Sequence, residues 1–203
     1  MTFPARVVLA TRNGKKLQEL QRLLESLGIT SEVLSLESFP DFTDDIAETA
    51  PDFEGNALIK ATAVAAATGL PAIADDSGLC VDALNGMPGV LSARWSVQRD
   101  DHSNLELVLA QTADVPAERR GAAFVAAVAY VDGEGEPIVV RGQMRGHLLT
   151  QPRGSHGFGY DPIFQPVGYE SSNAELSPQD KDAISHRGQA LRALVEQLAQ
   201  RAD

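Results

Sequence analysis

Apolar residues in the first part of the chain recur with two spacings, one typical of strands and one typical of helices. VVLA (7–10) and EVLSL (32–36) are short, mainly apolar runs of the kind found in buried strands. Between them, leucines recur every three or four residues in KKLQELQRLLESLG (15–28), with Gly28 as the helix end. A strand, a helix and a second strand in this order predict an α/β unit.

The next segment combines a helix of small residues with an apolar strand. The alanine-rich stretch 53–68 predicts a helix that ends at Gly69 and Pro71. PAIADD (71–76) predicts a short strand that ends at two adjacent aspartates, and the following Ser77–Gly78 pair is expected to bend the chain there.

The second half of the chain continues the mixed pattern. Residues 104–111 predict a helix, and the two apolar runs that flank DGEGE (132–136) predict a β-hairpin. Ser177 at the start of SPQD predicts the beginning of a C-terminal helical region, with an interruption near 185–188. The expected fold class is therefore mixed α/β, with helices covering a sheet.

Composition restricts the compartment and the partners. The chain has 203 residues, 43% of them hydrophobic, which is enough for one substantial core. No run approaches the roughly 18 apolar residues of a membrane span. The N-terminus lacks the sequence of basic region, apolar stretch and cleavage site that marks a secretory signal. Cys80 is the one cysteine. We therefore expect a reduced, cytoplasmic protein that does not act at a membrane. The net charge of −11 argues against a nucleic-acid partner, because such binding needs a basic face.

A polar loop between the first strand and the first helix has the character of a phosphate site. Backbone N–H groups at a helix N-terminus attract anions, and TRNGKK (11–16) adds hydroxyl, amide and ammonium donors. GxxxxGK[ST] is absent, so this is not a Walker loop, and an ordinary strand–helix turn with surface lysines is the alternative. The chain has four lysines, each in a segment with other functional features: Lys15, Lys16, Lys60 and Lys181.

Acidic residues in two segments suit a magnesium ion. Glu48 and Glu54 flank the turn before the alanine-rich helix, and Asp75 and Asp76 follow an apolar run. Mg²⁺ takes hard oxygen ligands, usually one or two carboxylates together with water and substrate phosphates. A metal would also offset the repulsion between the two aspartates. The alternatives are helix-start acids favoured by the helix dipole and an acidic turn.

Two further segments have the composition of a base-binding site. In GSHGFGYDPIF (154–164), glycines space Phe158 and Tyr160, so that a purine could stack on an aromatic ring; the alternative is a loop with one aromatic anchored in the core. KDAISHRG (181–188) is dense in hydrogen-bond donors, which match the O6 and N7 acceptors of a 6-keto purine. Its alternative is a C-terminal helix with a polar face.

Five stretches together resemble one enzyme family. They are LATRNGKK, TAPDFEGNALIKA, PAIADDSGLCVDALNGMPGVLSARW, GFGYDPIF and ELSPQDKDAISHRGQAL, and they span nearly the whole chain. In this order they are similar to the inosine triphosphate pyrophosphatases, also called dITP/XTP pyrophosphatases, which are related to the Maf-like proteins. The resemblance implies a single domain over 1–203, with an elongated mixed central sheet, two lobes and a cleft between them. It also implies a homodimer that uses Mg²⁺ to hydrolyse ITP, dITP and XTP to the monophosphate and pyrophosphate, removing non-standard purines from the nucleotide pool.

The resemblance also assigns residues. Asp76 is implied as metal ligand and proton acceptor, with Glu48 as the further metal ligand. The implied substrate contacts are the triphosphate loop Thr11, Arg12, Asn13, Gly14, Lys15 and Lys16; Lys60 and Ser77; and, on the base side, Phe158, Gly159, Tyr160, Asp161, Lys181, His186 and Arg187. The chain departs from the family pattern twice: Arg12 stands where many relatives have glycine or serine, and Gly55 replaces an acid of FEEN.

Two rival functions are compatible with these features. One is a Maf-like pyrophosphatase acting on other modified nucleotides, against which the SHR segment argues. The other is a non-hydrolysing sensor of purine nucleotides. The presence of Asp76 and Glu48 argues against a sensor, because binding alone needs no water-activating acid.

Overall fold

The computed structural model of the protein describes residues 3–39, 42 and 46–201. Its strands and α-helices are, in chain order, β1 (Arg6–Leu9), α1 (Gly14–Ser26), β2 (Glu32–Ser35), α2 (Phe53–Thr68), β3 (Ala72–Val81), α3 (Asp101–Gln111), β4 (Gly121–Val131), β5 (Ile138–Leu148), β6 (Phe164–Pro166), α4 (Pro178–Ile184) and α5 (His186–Gln200). Across the described ranges, no helix has the length and apolarity needed to cross a membrane.

The strands form one six-stranded mixed sheet in the order β2-β1-β3-β4-β5-β6. β1 pairs in parallel with both β2 and β3, whereas β5 and β6 are antiparallel. Parallel neighbours need a crossover connection, and α1 provides it between β1 and β2. β4 and β5 are neighbours joined by the short DGEGE connection, as the sequence predicts. The predicted mixed α/β class is confirmed.

The chain divides into two compact units, each assembled from separate stretches of sequence. The first unit contains the residues up to Asp76, then Ala126–Gly142, and the residues from Arg187 onward. The second contains Ser77–Val125 and Gln143–His186. The single domain expected over 1–203 stays a prediction.

Each unit has its own apolar core. In the first unit, the buried leucines Leu20, Leu23 and Leu24 of α1 pack in one cluster with Val7 of β1 and Leu191 of α5. These are the leucines whose helical spacing is visible in the sequence. The core of the second unit contains Leu79, Val108, Phe124, Ile163 and Phe164.

β3 contradicts one expectation from the sequence. The strand was expected to end at the aspartates, but it continues through them to Val81. Successive side chains of a strand point to opposite faces, so Asp75 and Asp76 diverge instead of meeting. Gly78 does not form a bend. A Cβ at this position would overlap Ser92 Oγ and the Gly89 carbonyl, so glycine is needed here for close packing.

The helix boundaries agree closely with the sequence signals. α2 has the predicted bounds; the Asp52 carboxylate caps its start at Gly55 N, and Gly69 ends it with φ +66°. Ser177 Oγ accepts from Asp180 N at the start of α4, and Ser185 separates α4 from α5. α3 begins at Asp101, earlier than predicted, because Asp100 caps it through Ser103 N.

The core assignment predicts the effect of a cavity in α5. Leu191 is fully buried, so Leu191→Ala is expected to lower the free energy of unfolding by about 3 kcal/mol. Glu196→Ala, an exposed position of the same helix, should change it by less than about 0.5 kcal/mol. Urea denaturation followed by circular dichroism measures both values. Equal effects of the two substitutions would contradict the packing of α5 against the first core.

Candidate active site

The loop between β1 and α1 is organised by Asn13. Its side-chain oxygen accepts hydrogen bonds from Lys15 N at 3.0 Å and Lys16 N at 3.4 Å, so Asn13 caps α1. Thr11 Oγ1 accepts from Asn13 N at 3.1 Å. The Arg12 guanidinium donates to the carbonyl of Phe42 at 3.3 Å. The predicted phosphate loop is therefore a real strand–helix junction, with Lys15 exposed and Lys16 largely buried.

Four charged side chains of the first unit form a buried group that we call the arginine network: Lys16, Glu19, Asp75 and Arg187. Arg187, at the start of α5, donates from Nε to Asp75 at 3.0 Å and from Nη1 to Glu19 at 3.0 Å. Lys16 Nζ lies 3.2 Å from the same Asp75 oxygen. Two cations of the protein itself, Lys16 and Arg187, therefore offset the negative charge of Asp75.

The arginine network holds Asp75 as an anion. Burial alone would raise the pKa of the Asp75 carboxyl, but the charges of Lys16 and Arg187 outweigh burial and keep this pKa well below its usual range. Burial lowers the pKa of Lys16, against the attraction of Asp75. Asp75 thus contributes stability above its unfolded-state pKa of about 4, and that contribution is lost as the pH falls below this value.

A second group of the first unit, the carboxylate–lysine cluster, contains Glu48, Asn56, Lys60 and Asp76. The Lys60 ammonium of α2 lies 2.8 Å from Glu48 Oε1 and 3.2 Å from Asp76 Oδ1. Asn56, one turn earlier on α2, donates from Nδ2 to Asp76 Oδ2 at 3.1 Å and accepts from Ala50 N at 2.9 Å. Each Asp76 oxygen therefore has a donor, and Asn56 links Asp76 to the turn that follows Glu48.

Asp76 differs electrostatically from its neighbour. Burial raises the pKa of Asp76, the negative charge of Glu48 adds to this, and Lys60 and Asn56 offset it only in part. Burial would lower the pKa of Lys60, but Asp76 and the other nearby carboxylates raise it overall. Lys60 is therefore a firmly protonated cation between two acids.

The carboxylate–lysine cluster has a donor set that suits a hard divalent ion. Glu48 and Asp76 present carboxylate oxygens, and Mg²⁺ characteristically takes one or two such ligands while substrate phosphates and water fill the rest. Among the described residues, no group of three or more acidic, histidine or cysteine side chains is arranged to hold a metal. Glu54 is not part of the cluster, because it pairs with Arg141 at 3.1 Å.

In the second unit, the predicted base-binding residues gather around a buried carboxylate. We call this group the Asp161 cluster: Phe158, Asp161, Asn173 and Lys181. Asp161 Oδ2 accepts from Lys181 Nζ at 2.7 Å and from Phe158 N at 2.9 Å, and Oδ1 accepts from Asn173 Nδ2 at 3.0 Å. Gly157, with φ +76°, is required beside them, because a Cβ there would overlap the Asp161 carboxylate. The cluster fixes the turn that presents Phe158.

The aromatic residues of this unit divide into one accessible and one buried ring. Phe158 is partly exposed, and the Lys181 ammonium lies 5.2 Å from its ring centroid. Tyr160 belongs to the core, and its hydroxyl donates to the Ser92 carbonyl at 2.8 Å. Burial raises the pKa of Tyr160. Of the two rings considered for stacking, Phe158 has the exposure that stacking needs, whereas Tyr160 is the anchored aromatic of the alternative interpretation.

The remaining predicted residues differ in their exposure and in their partners. Gly159 N donates to Asp101 at 3.0 Å, so the start of α3 also holds this turn. His186 is buried and stacks on Phe124 with ring centroids 5.1 Å apart. Ser77 lies on β3 and is partly exposed. Arg187, expected on the base side, has its Nε and Nη1 atoms bound to carboxylates in the arginine network.

Sequence reasoning missed four residues that organise these groups: Glu19, Asn56, Asp101 and Asn173. Glu19 carries a visible signal, since it interrupts the apolar face of α1 three residues after Lys16. Asn56 lies one turn before Lys60 on a helix of small residues, which also places it on the same face. Asp101 and Asn173 carry no local signal, because their partners are distant in sequence.

Comparisons with known proteins define the class of the chain. A profile of the Ham1 family matches residues 7–197. A dITP/XTP pyrophosphatase of Mycobacteroides abscessus is 54% identical over 195 residues, which are 95% of this chain and 94% of that protein. One from Nocardia farcinica is 55% identical over 201 residues, covering 98% and 97%. The structure of a HAM1 protein from Coxiella burnetii matches with a TM-score of 0.85 and 40% identity, over 97% of this chain and 100% of that one.

The fold is α/β, and the carboxylate–lysine cluster gives the protein a site in which carboxylate oxygens lie beside a lysine. The chain belongs to the Ham1 family. The resemblance inferred from the five sequence stretches is confirmed, because relatives at this level of identity have the predicted family name.

The opposite pKa directions of the two aspartates predict opposite effects on stability. In the presence of a chelator at pH 7, Asp75→Asn should lower the free energy of unfolding by about 3 kcal/mol, because buried cations lose their partner. Asp76→Asn should leave stability unchanged or raise it, because it removes a carboxylate whose ionised form is disfavoured by burial. Urea denaturation measures both.

The pH dependence provides the control for this comparison. The deficit of Asp75→Asn should shrink as the pH falls below about 4, where wild-type Asp75 loses its ionised advantage. A deficit that stays constant from pH 7 to pH 3 would contradict the electrostatic account and indicate a packing defect.

Proposed function

We propose that the chain hydrolyses dITP, ITP and XTP to the corresponding monophosphate and pyrophosphate, and so removes non-standard purines from the nucleotide pool. Its relatives are named dITP/XTP pyrophosphatases, and the chain is accordingly a hydrolase acting on nucleoside triphosphates. The single observation that supports the reaction best is the carboxylate–lysine cluster. It sets two acids beside a lysine in a buried position, as phosphoryl chemistry needs.

Asp76 has the role of proton acceptor in this proposal. Its Oδ2 atom is held by Asn56, so the carboxylate has a fixed orientation before substrate enters. Fixed orientation is a requirement for a general base, because the water must lie within hydrogen-bond reach of the accepting oxygen. The proton of the attacking water passes to Asp76, and the water oxygen bonds to the α-phosphorus as the bond to the β-phosphate bridge breaks.

Asp76 and Glu48 are the residues that would hold Mg²⁺, which supplies a lowered water pKa and charge stabilisation on the phosphates when bound. The lysines Lys15, Lys16 and Lys60 are assigned to the triphosphate, because leaving pyrophosphate carries high negative charge that cations offset. Thr11, Arg12 and Gly14 belong to the same loop. Asn13 supports the loop as the cap of α1.

The Asp161 cluster is assigned to the base. Phe158 offers a partly exposed ring for stacking, and Lys181 offers an ammonium donor above it. A donor suits the 6-keto oxygen of hypoxanthine and xanthine, whereas the 6-amino group of adenine would leave a donor facing a donor. This mismatch is the physical reason to expect discrimination against ATP.

The setting of the enzyme is proposed from the same family resemblance. We assign it to the cytoplasm, where nucleotide pools are made and used, and we expect a homodimer. Size-exclusion chromatography with light scattering would test the oligomeric state directly.

Product analysis tests the reaction. With Mg²⁺, the purified protein should convert ITP to IMP and pyrophosphate, act far less on ATP, and stop when a chelator is added. In H₂¹⁸O, the label should appear in IMP, because attack at the α-phosphorus adds the water oxygen there. IDP with labelled phosphate would move the attack to the γ-phosphorus, and ITP binding without turnover would favour a sensor.

Asp76→Asn tests the assignment of the base. The substitution removes the proton acceptor but keeps the size of the side chain, so kcat for ITP should fall at least about 100-fold. Asp182→Asn, a carboxylate of α4 outside the described clusters, serves as the control and should leave kcat within about twofold. Full turnover by Asp76→Asn would refute the role of Asp76.

A further inference from the structure

Lys60 lies where a metal ion would have to make its protein contacts. Its ammonium nitrogen is 2.8 Å from Glu48 Oε1 and 3.2 Å from Asp76 Oδ1. These are the two carboxylates assigned to the metal above. The lysine side chain is about nine-tenths buried, at 11% exposure, so water screens these ion pairs little.

The surrounding residues leave few other carboxylates for either cation. Asp75 is already bound by Lys16 and Arg187, and Glu54 by Arg141. Among the residues that the structure describes, no group of three or more acidic, histidine or cysteine side chains is arranged to hold a metal. Asn56 occupies Asp76 Oδ2, which leaves Oδ1, the atom facing Lys60, as the better-placed metal ligand.

We propose that Lys60 is an internal counter-ion that competes with a divalent cation for Glu48 and Asp76 when no nucleotide is bound. The proposal rests on the proposed function in taking these two residues as the metal ligands. A divalent ion on both carboxylates repels an ammonium in the same place, so at least one of the two lysine ion pairs has to break before the metal binds.

Competition of this kind couples the metal to the nucleotide. Lysine carries its charge on a flexible four-carbon stem, so the ammonium can exchange one anionic partner for another while α2 stays in place. A triphosphate supplies such a partner and relieves the metal of its competitor. Metal and triphosphate therefore bind with positive coupling, and the nucleotide-free protein has a low affinity for divalent ions.

The test measures Mn²⁺ binding to the nucleotide-free protein by electron paramagnetic resonance, in which the signal of free Mn²⁺ disappears on binding. Lys60→Met and Lys60→Gln should each bind Mn²⁺ about tenfold more tightly than wild type, because both remove the competing charge. Lys60→Arg, which keeps the charge, should bind as weakly as wild type. Adding Glu48→Gln to Lys60→Met should abolish the gain.

Lys181→Met is the matched control, because Lys181 is also a buried lysine bonded to a carboxylate, Asp161, at 2.7 Å. It should leave Mn²⁺ affinity unchanged. Equal or weaker Mn²⁺ binding by both neutral Lys60 variants, with circular dichroism like that of wild type, would overturn the proposal. So would a gain of the same size in Lys60→Arg.

ITP hydrolysis by the wild-type protein separates this proposal from the proposed function. If the neutral variants bind Mn²⁺ more tightly but the wild-type protein does not hydrolyse ITP, the counter-ion role of Lys60 is supported and the proposed hydrolysis of ITP is refuted. If the wild-type protein hydrolyses ITP but the neutral variants bind Mn²⁺ with unchanged affinity, the proposed function is supported and the counter-ion role of Lys60 is refuted.

Discussion

The arginine network and the carboxylate–lysine cluster both depend on ion pairs made by two neighbouring carboxylates of β3, Asp75 and Asp76. The strand directs adjacent side chains to opposite faces, so one sequence dipeptide serves two environments. Asp75 contacts Lys16 of α1 and Arg187 of α5, and Asp76 contacts Lys60 of α2. Three helices are thereby tied electrostatically to one strand. Removing Asp75 would leave the buried Lys16 and Arg187 without the anion that both contact, which is why the arginine network tolerates little change.

The same arrangement makes the two acids chemically unlike. Asp75 is surrounded by positive charge and serves as a fixed anion that orients Lys16 and Arg187. Asp76 shares the Lys60 ammonium with a second acid, Glu48. Burial disfavours the charged form of Asp76. Lys60 offsets the negative charge of Glu48 and Asp76 only in part, so a further cation would be attracted to these carboxylates. Chemistry is therefore expected at Asp76 and support at Asp75, although the residue type is the same.

The sequence predicted the elements well because their signals are local. The bounds of α2, the Ser177 cap and the break at Ser185 each depend on residues within one turn of helix. The bend after Asp76 was wrong because glycine signals both turns and close packing, and only the contact with Ser92 decides between them. Likewise, Arg187 is a recognisable donor in sequence, but its partners Glu19 and Asp75 lie 168 and 112 residues away, beyond any local pattern.

That long separation has a consequence for how the protein is made. Glu19 and Asp75 precede Arg187 in the chain, so both are synthesised before it. Before α5 is added, neither carboxylate has the guanidinium that both contact in the folded protein. Leu191 and Leu194, which follow on α5, belong to the first core, so the same helix also completes its packing. Closure of that core and neutralisation of its acids therefore both depend on α5.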